Sequence, residues 1–319
     1  MFESIVVITK RTALEELILR FNSRDQAKFY IEQQARLNPG YKGGAFEEYQ
    51  NAHEVYLMAL NSLKAVIPKT VKYQIIERSV LPMFKFSGKD LIVIIGPDGL
   101  VINTAKYLST EPILALNPDS RRIDGVLIPF QIRQAREKIL SALEGRFKTK
   151  PVSMAQATLN DGQRLFAVND LFIGAKSHIS ARYRLEFGRK SEIHSSSGII
   201  VSTGAGSTGW LQSIVNGSCG VVGGVIHSSV RPPASNDYRL DWSSNQLYFA
   251  VREPFTSKSS QAGLVFGRVE SGKRLTITSL MPDNGVIFSD GIEADYLNFN
   301  SGAVASISLA DRKANLIVA

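Results

Sequence analysis

The chain has 319 residues, 44% hydrophobic and 21% charged, a composition that excludes a disordered polymer and leaves room for two cores. A single cysteine, Cys219, excludes an internal disulfide and a multi-cysteine metal centre, and no apolar run approaches the roughly 20 residues of a membrane span. The formal net charge of +8 favours polyanionic partners, yet the basic residues are scattered, which suits a phosphate-bearing small ligand at least as well as nucleic acid.

The first segment, MFESIVVITKRTALEEL, has neither a basic leader nor a cleavage site, so a cytoplasmic protein without membrane association is expected. SIVVIT (residues 4–9) reads as a strand. Thr12 and Glu15 have the spacing of a capping box and open the helix ALEELILRF. A polar helical stretch runs to about Arg36 and is broken by NPGYKGGAF. EEYQNAHEVYLMALNSLKAVI is a long amphipathic helix that ends before Pro68. VKYQIIE and LIVIIG are short β-branched runs and read as buried strands. The helix LVINTAKYL, the strand PILALN and the helix QIRQAREKILSALEGR complete a series that predicts a parallel sheet covered by helices.

At about Lys148 the character changes to short β-type runs: MAQATL, RLFAVNDLFIG, ARYRLEFG, GIIVST, QLYFAVRE, GLVFGRV, RLTITSL, GVIFSD, AVASISL and ANLIVA. Turn signals such as Asn160-Asp161-Gly162 and Ser289-Asp290-Gly291 separate them, which predicts a β-sandwich. The expected organisation is an α/β, Rossmann-like domain over 1–148, completed by the tail at about 300–319, and an all-β sandwich domain over 149–299.

Two segments carry chemistry. Gly96-Pro97-Asp98-Gly99 is one of four Asp-Gly pairs, and its local pattern fits an ordinary type I turn. Its position is less ordinary, because open α/β sheets bind ligands at the carboxyl ends of their strands. The following helix start offers N–H groups and a positive dipole end to a phosphate. A carboxylate at Asp98 could orient a hydroxyl nucleophile or take its proton. The second segment, GIIVSTGAGSTGW, runs from a strand into a loop with four small hydroxyls over eight residues, Ser202 to Gly209, and then into a helix. Strand, glycine-rich loop and helix start again make an anion-binding geometry, and two such loops predict a cleft lined by phosphate donors.

Together with Asn169-Asp170 in AVNDLFIG, these segments resemble, in order, the NAD kinase family, with its GGDG turn, Asn-Glu pair and TPTGSTAY-like loop. The chain is most similar to the divergent mitochondrial-type branch and its bacterial relatives, through ALNPDSRRIDGVLIPF, NDLFIGAKSHISARYRLEF, SSSGIIVSTGAGSTGW and FAVREPF. The resemblance implies transfer of the ATP γ-phosphoryl to the 2′-hydroxyl of the adenosine ribose of NAD, with Mg²⁺ arriving on the nucleotide. It makes Asp98 the catalytic aspartate and places Gly96 and Gly99 along the polyphosphate. It makes Asn169 and Asp170 the pair that contacts the dinucleotide. Thr203, Gly206, Ser207, Thr208 and Gly209 form the loop holding the adenylate, and Ser197 stands where the main family has a dinucleotide-binding Asp. A homodimer or larger homo-oligomer is implied as well.

Four departures stand out. Pro97 replaces a glycine and removes an N–H that could hold a phosphate. Ala205 replaces a hydroxyl residue, Asp170 shortens the usual Glu by one methylene, and Trp210 stands for Tyr. The other readings are a nucleotide-binding protein of the same fold with little or no turnover, and a kinase for another hydroxyl acceptor, a sugar or a lipid. Elsewhere the signals are bland. The four histidines lack metal spacing, Arg252 and Lys258 read as solvated charge, and Asp290-Gly291 reads as a hairpin turn.

Overall fold

The computed structural model describes residues 2–38 and 45–318, so most of the predicted break NPGYKGGAF, residues 39–44, lies outside the described residues. The chain divides into two compact units. Unit 1 holds Met1–Thr104, Glu111–Thr149 and Leu316–Ala319; unit 2 holds Ala105–Thr110 and Lys150–Asn315.

Unit 1 is built on parallel strands β1 (Ser4–Thr9), β2 (Lys72–Glu77), β3 (Asp90–Ile95), β4 (Pro112–Asn117) and the short β5 (Phe130–Gln131). They lie side by side in the order β5-β4-β3-β1-β2. The register places Val7 beside Val93 and Val93 beside Leu114, so the apolar run of β3 sits between two neighbours and is buried at every residue. β2 departs from the expectation of a buried strand: it is an edge, and its first four residues are exposed. Its β-branched run reports strand propensity rather than depth.

Helices α1 (Ala13–Phe21), α2 (Arg24–Leu37), α3 (Phe46–Val66), α4 (Asp98–Ala105) and α5 (Ala135–Leu143) accompany this sheet. Leu63 of α3 and Ile139 of α5 pack in one core with Ile5, Val7, Val93 and Leu116. The Thr12 capping box forms as expected. The Glu15 carboxylate accepts from the Thr12 N–H at 2.7 Å, and the Thr12 hydroxyl accepts from the Glu15 N–H at 3.3 Å. That hydroxyl also meets His53 Nδ1 at 2.8 Å, which ties the start of α1 to α3.

Unit 2 is a sandwich of two antiparallel sheets. One contains β6 (Lys148–Leu159), β7 (Arg164–Ala167), β9 (Ala181–Phe187), β10 (Lys190–Ser196), β14 (Leu275–Ser279) and β17 (Val304–Val318). The other runs β13-β12-β11-β8-β15-β16, with β8 at Asp170–Ala175, β11 at Ile199–Ser202, β12 at Gln246–Val251, β13 at Phe266–Glu270, β15 at Gly285–Ser289 and β16 at Ile292–Asn298. Their inner faces share a core that includes Leu171, Tyr183, Ile199, Phe249, Ile277 and Ile307. The run RLFAVNDLFIG, read as one segment, breaks at Val168-Asn169 into β7 and β8. AVASISL and ANLIVA merge into the single β17. The loop after β11 leads into α6 (Trp210–Val225), and one helical turn, α7 (Ser235–Tyr238), follows it. Replacing Thr12 by Ala is expected to cost about 1–2 kcal/mol of stability, read from the midpoint and slope of urea unfolding.

Candidate functional site

The turn Gly96-Pro97-Asp98-Gly99 leaves β3 and becomes the first turn of α4, with the Leu100 N–H donating to the Pro97 carbonyl at 2.9 Å. Proline is at home here, since its fixed φ suits a helix start and its missing N–H breaks no helical bond. Asp98 is half-buried, and its carboxylate is engaged. Oδ2 accepts from the Val126 N–H at 2.9 Å and Oδ1 from the Leu127 N–H at 2.8 Å. Asn117 holds the other end of the same segment. Its Nδ2 donates to the Ile123 carbonyl at 2.8 Å, and its Oδ1 accepts from the Asp119 N–H at 3.0 Å. Asp98 therefore anchors the segment that follows β4. A carboxylate has about four lone-pair sites, so two acceptor positions are left over. Gly96 is buried and Gly99 exposed; a Cβ added at Gly99 would meet nothing within 4 Å.

In unit 2 the predicted residues Asn169, Asp170, Thr203 and Gly206 come together. The Thr203 N–H donates to the Asn169 carbonyl at 2.9 Å, and the Thr203 hydroxyl donates to the Val168 carbonyl. The glycine loop lies so close to this turn that a Cβ at Gly206 would stand 2.3 Å from the Asn169 oxygen and 2.7 Å from Asp170 Oδ1. Only glycine allows that approach. Asp170 is buried, and its Oδ1 has no hydrogen-bond partner among the described residues. Burial pushes its carboxyl up to about 7; the Ser202 hydroxyl pulls the other way, and the charge of Asp290 adds to the rise.

The loop itself corrects an expectation. Thr203 and Ser207 do not offer their hydroxyls outward: both are fully buried. Thr203 Oγ1 also accepts from the Gly206 N–H at 3.2 Å, while Ser207 Oγ donates to the Gly204 carbonyl at 2.7 Å and accepts from the Leu240 N–H at 3.2 Å. Buried hydroxyls must find partners, and here backbone groups of the loop, of Val168 and of Leu240 supply them. Thr208 and Gly209 are the exposed members.

Ser197 lies at the opposite end of β11 and lines a cavity of about 390 Å³ with Phe172, Lys176, Trp210, Arg252 and Phe288. Phe172 stacks on Phe288 with centroids 4.7 Å apart and lies parallel to Trp210 at 6.1 Å. Arg252, read from sequence as solvated charge, sits over the Trp210 ring at 5.5 Å. Lys176 sits over Tyr296 at 4.8 Å. Aromatic faces bordered by cations suit a planar base carrying phosphates. Nothing in sequence marked Phe172 or Phe288, which fall inside the β-type runs RLFAVNDLFIG and GVIFSD.

Sequence reasoning also missed the underside of the Asn169-Asp170 turn. Asp290 is more than a hairpin residue: its carboxylate accepts from the N–H groups of Val168, Asn169 and Asp170 at 3.0, 2.7 and 3.2 Å. The residue keeps some surface, but its carboxylate points inward, and burial pushes it up to about 6 against those hydrogen bonds and the Lys106 charge. Lys106 is buried, 3.1 Å from Ser289 Oγ and 3.1 Å from Asp295 Oδ2. Among the described residues, no group of three or more His, Cys, Asp or Glu side chains could hold a metal ion.

No family model matches the chain. A probable NADH kinase of Oryza sativa subsp. japonica is 24% identical over 262 residues, covering 74% of each protein. An NAD kinase of Acidithiobacillus ferrooxidans is 30% identical over 144 residues, 42% of this chain and 48% of that protein. Among solved structures, yeast NADH kinase complexed with NADH matches with a TM-score of 0.60 at 12% identity, over 100% of this chain and 84% of that one. An NAD kinase from Archaeoglobus fulgidus in complex with ATP matches with a TM-score of 0.54 at 15% identity, over 81% and 87%. The structural matches carry the fold, an α/β domain plus a β-sandwich. In sequence the chain is similar to proteins named NAD kinase and NADH kinase.

Proposed function

We propose that this protein transfers the γ-phosphoryl group of ATP to the 2′-hydroxyl of the adenosine ribose of NAD, giving NADP. The observation that carries the reading is the Asn169-Asp170 turn. It sets a half-buried amide beside a buried carboxyl whose Oδ1 has no partner, against a glycine loop that leaves no room for a side chain. An amide can match the donor and acceptor edge of adenine, and a carboxylate can accept from ribose hydroxyls. The solved relatives bound to NADH and to ATP support the same ligand classes.

In this reading Asp98 takes the proton of the 2′-hydroxyl as that oxygen bonds to the γ-phosphorus. The bond from phosphorus to the bridging oxygen breaks, and ADP leaves with the electron pair. Gly96 and Gly99 let the polyphosphate approach the start of α4, and Thr208 and Gly209 face the adenylate. Ser197, Trp210 and Arg252 line the cavity where a base stacks. Mg²⁺ would enter with ATP, held by its phosphates, and would neutralise charge on the γ-phosphoryl group; the acceptor positions that Asp98 retains serve the 2′-hydroxyl proton.

A second reading, a nucleotide-binding protein with little turnover, is favoured by one specific observation. Both Asp98 oxygens already accept backbone N–H groups, and Pro97 withholds a donor beside them. An assay of NADP formation from ATP, Mg²⁺ and NAD separates the readings. Wild-type protein is expected to turn over, and Asp98→Asn to lose about 10²–10⁴-fold in kcat. Undiminished activity in that variant removes Asp98 from the chemistry, and a wild type that binds NAD without making NADP supports the second reading. Restoring the missing donor with Pro97→Gly is expected to tighten ATP binding about tenfold.

The pH dependence follows from Asp170. Its carboxyl is raised to about 7 in the free protein, so it is largely neutral below that value and ionised above it. A ribose hydroxyl donates to the ionised form, so NAD affinity is expected to rise from about pH 6 to about pH 8. Asp170→Asn should flatten the profile; a variant with the same slope as wild type would assign the titration to another group.

A further inference from the structure

We propose that Asp290 is a positioning residue for dinucleotide binding: its carboxylate fixes the backbone of Val168, Asn169 and Asp170, and so sets where the Asn169 amide and Asp170 carboxyl meet the substrate. The inference rests on the reading of Asn169 and Asp170 as dinucleotide contacts.

A hairpin turn needs no such carboxylate, because a turn closes on its own backbone and points its polar side chain to water. This turn does the opposite. Asp290 sits at φ +55°, a left-handed conformation that costs a non-glycine residue, and from there its side chain reaches three consecutive N–H groups. Its own N–H donates to the Asp170 carbonyl at 2.9 Å, so side chain and backbone grip the same three residues. Two of those N–H groups, of Val168 and Asn169, lie where the chain breaks between β7 and β8, outside both strands, and the third belongs to Asp170, the first residue of β8.

The surroundings hold Asp290 in turn. Lys106 supplies a buried positive charge and hydrogen-bonds the hydroxyl of the preceding residue, Ser289, at 3.1 Å. Lys106 is itself fixed by Asp295 at 3.1 Å and by Arg312, whose Nη2 donates to the Lys106 carbonyl at 2.6 Å. Tyr107 donates to the same Asp295 carboxylate. A cation, two carboxylates, a phenol and a guanidinium are thus linked in one network at this turn, and Asp170 Oδ1, beside Gly206, is buried without a partner. Groups held by a fixed network keep the geometry that binding requires without reorganisation on substrate arrival.

The test compares wild type, Asp290→Asn and Asp170→Asn by calorimetric titration with NAD and, separately, with ATP. Asp290→Asn keeps the shape but turns one acceptor into a donor facing an N–H. It is expected to weaken NAD binding and raise KM for NAD by at least about tenfold. ATP affinity should stay within about twofold, which a general loss of structure would not produce. Hydrogen exchange of the amides of residues 168–170 should quicken in the variant. Wild-type NAD affinity in Asp290→Asn, alongside weakened binding in Asp170→Asn, overturns this inference and leaves the site reading intact. Unchanged binding in Asp170→Asn removes the site reading and the inference with it. Should Asp290→Asn fail to fold, the wild-type protein decides. The amides of residues 168–170 must be protected and slow further with NAD, and exchange at the rate of an open loop contradicts the proposal.

Discussion

A backbone N–H turned away from its strand must find an acceptor, and in unit 2 the candidate site is organised by the way one carboxylate meets that demand. Val168 and Asn169 lie between β7 and β8, Asp170 opens β8, and Asp290 collects the N–H groups of all three. With the backbone fixed there, the Asn169 carbonyl is free to accept from Thr203, which draws the glycine loop against the turn. The loop then has no space for a Cβ at Gly206, and Asp170 Oδ1 is left enclosed without a donor. Asp98 uses the same device in unit 1, where its two oxygens gather the N–H groups of Val126 and Leu127.

The electrostatic consequence is a pair of raised carboxyls, Asp170 at about 7 and Asp290 at about 6, with burial the leading cause for both. They differ in how the protein answers the cost. Asp290 receives three N–H groups and the charge of Lys106, whereas Asp170 receives help from Ser202 and carries the added repulsion of Asp290. A hydrogen-bonded carboxylate is settled; one left short of donors is available to a ligand that brings its own. The structure thereby separates a carboxylate that holds three N–H groups from one whose Oδ1 has no partner.

Much of this was legible in the sequence, and the limits have physical causes. The Thr12–Glu15 box, the fully buried β3 and the carboxylate at its carboxyl end follow from local spacing and from one rule about parallel sheets. The partnership of Asn169, Asp170 and the glycine loop came through the family resemblance rather than from periodicity. Asp290 and Lys106 were beyond reach: they act over separations of 120 or more residues, and locally one looks like turn chemistry and the other like part of a helical run. β2 was misjudged because β-branched residues favour strands at any depth, and β10 and β16 were overlooked because sheet edges tolerate polar sequences. Small hydroxyls in a glycine loop suggest ligand donors, yet the Thr203 hydroxyl goes to the Val168 carbonyl and the Ser207 hydroxyl to the Gly204 carbonyl.

Pro97 and Asp98 are the two residues on which the proposed activity turns. The proline fits a helix start but brings no N–H, and the aspartate anchors Val126 and Leu127 beside the role of base proposed for it. The most direct measurement is ³¹P NMR of the product formed from ATP and NAD by the purified protein. A new phosphomonoester resonance coupled to the 2′ proton of the adenosine ribose is expected. A phosphomonoester at any other position, or none while both nucleotides bind, would contradict it.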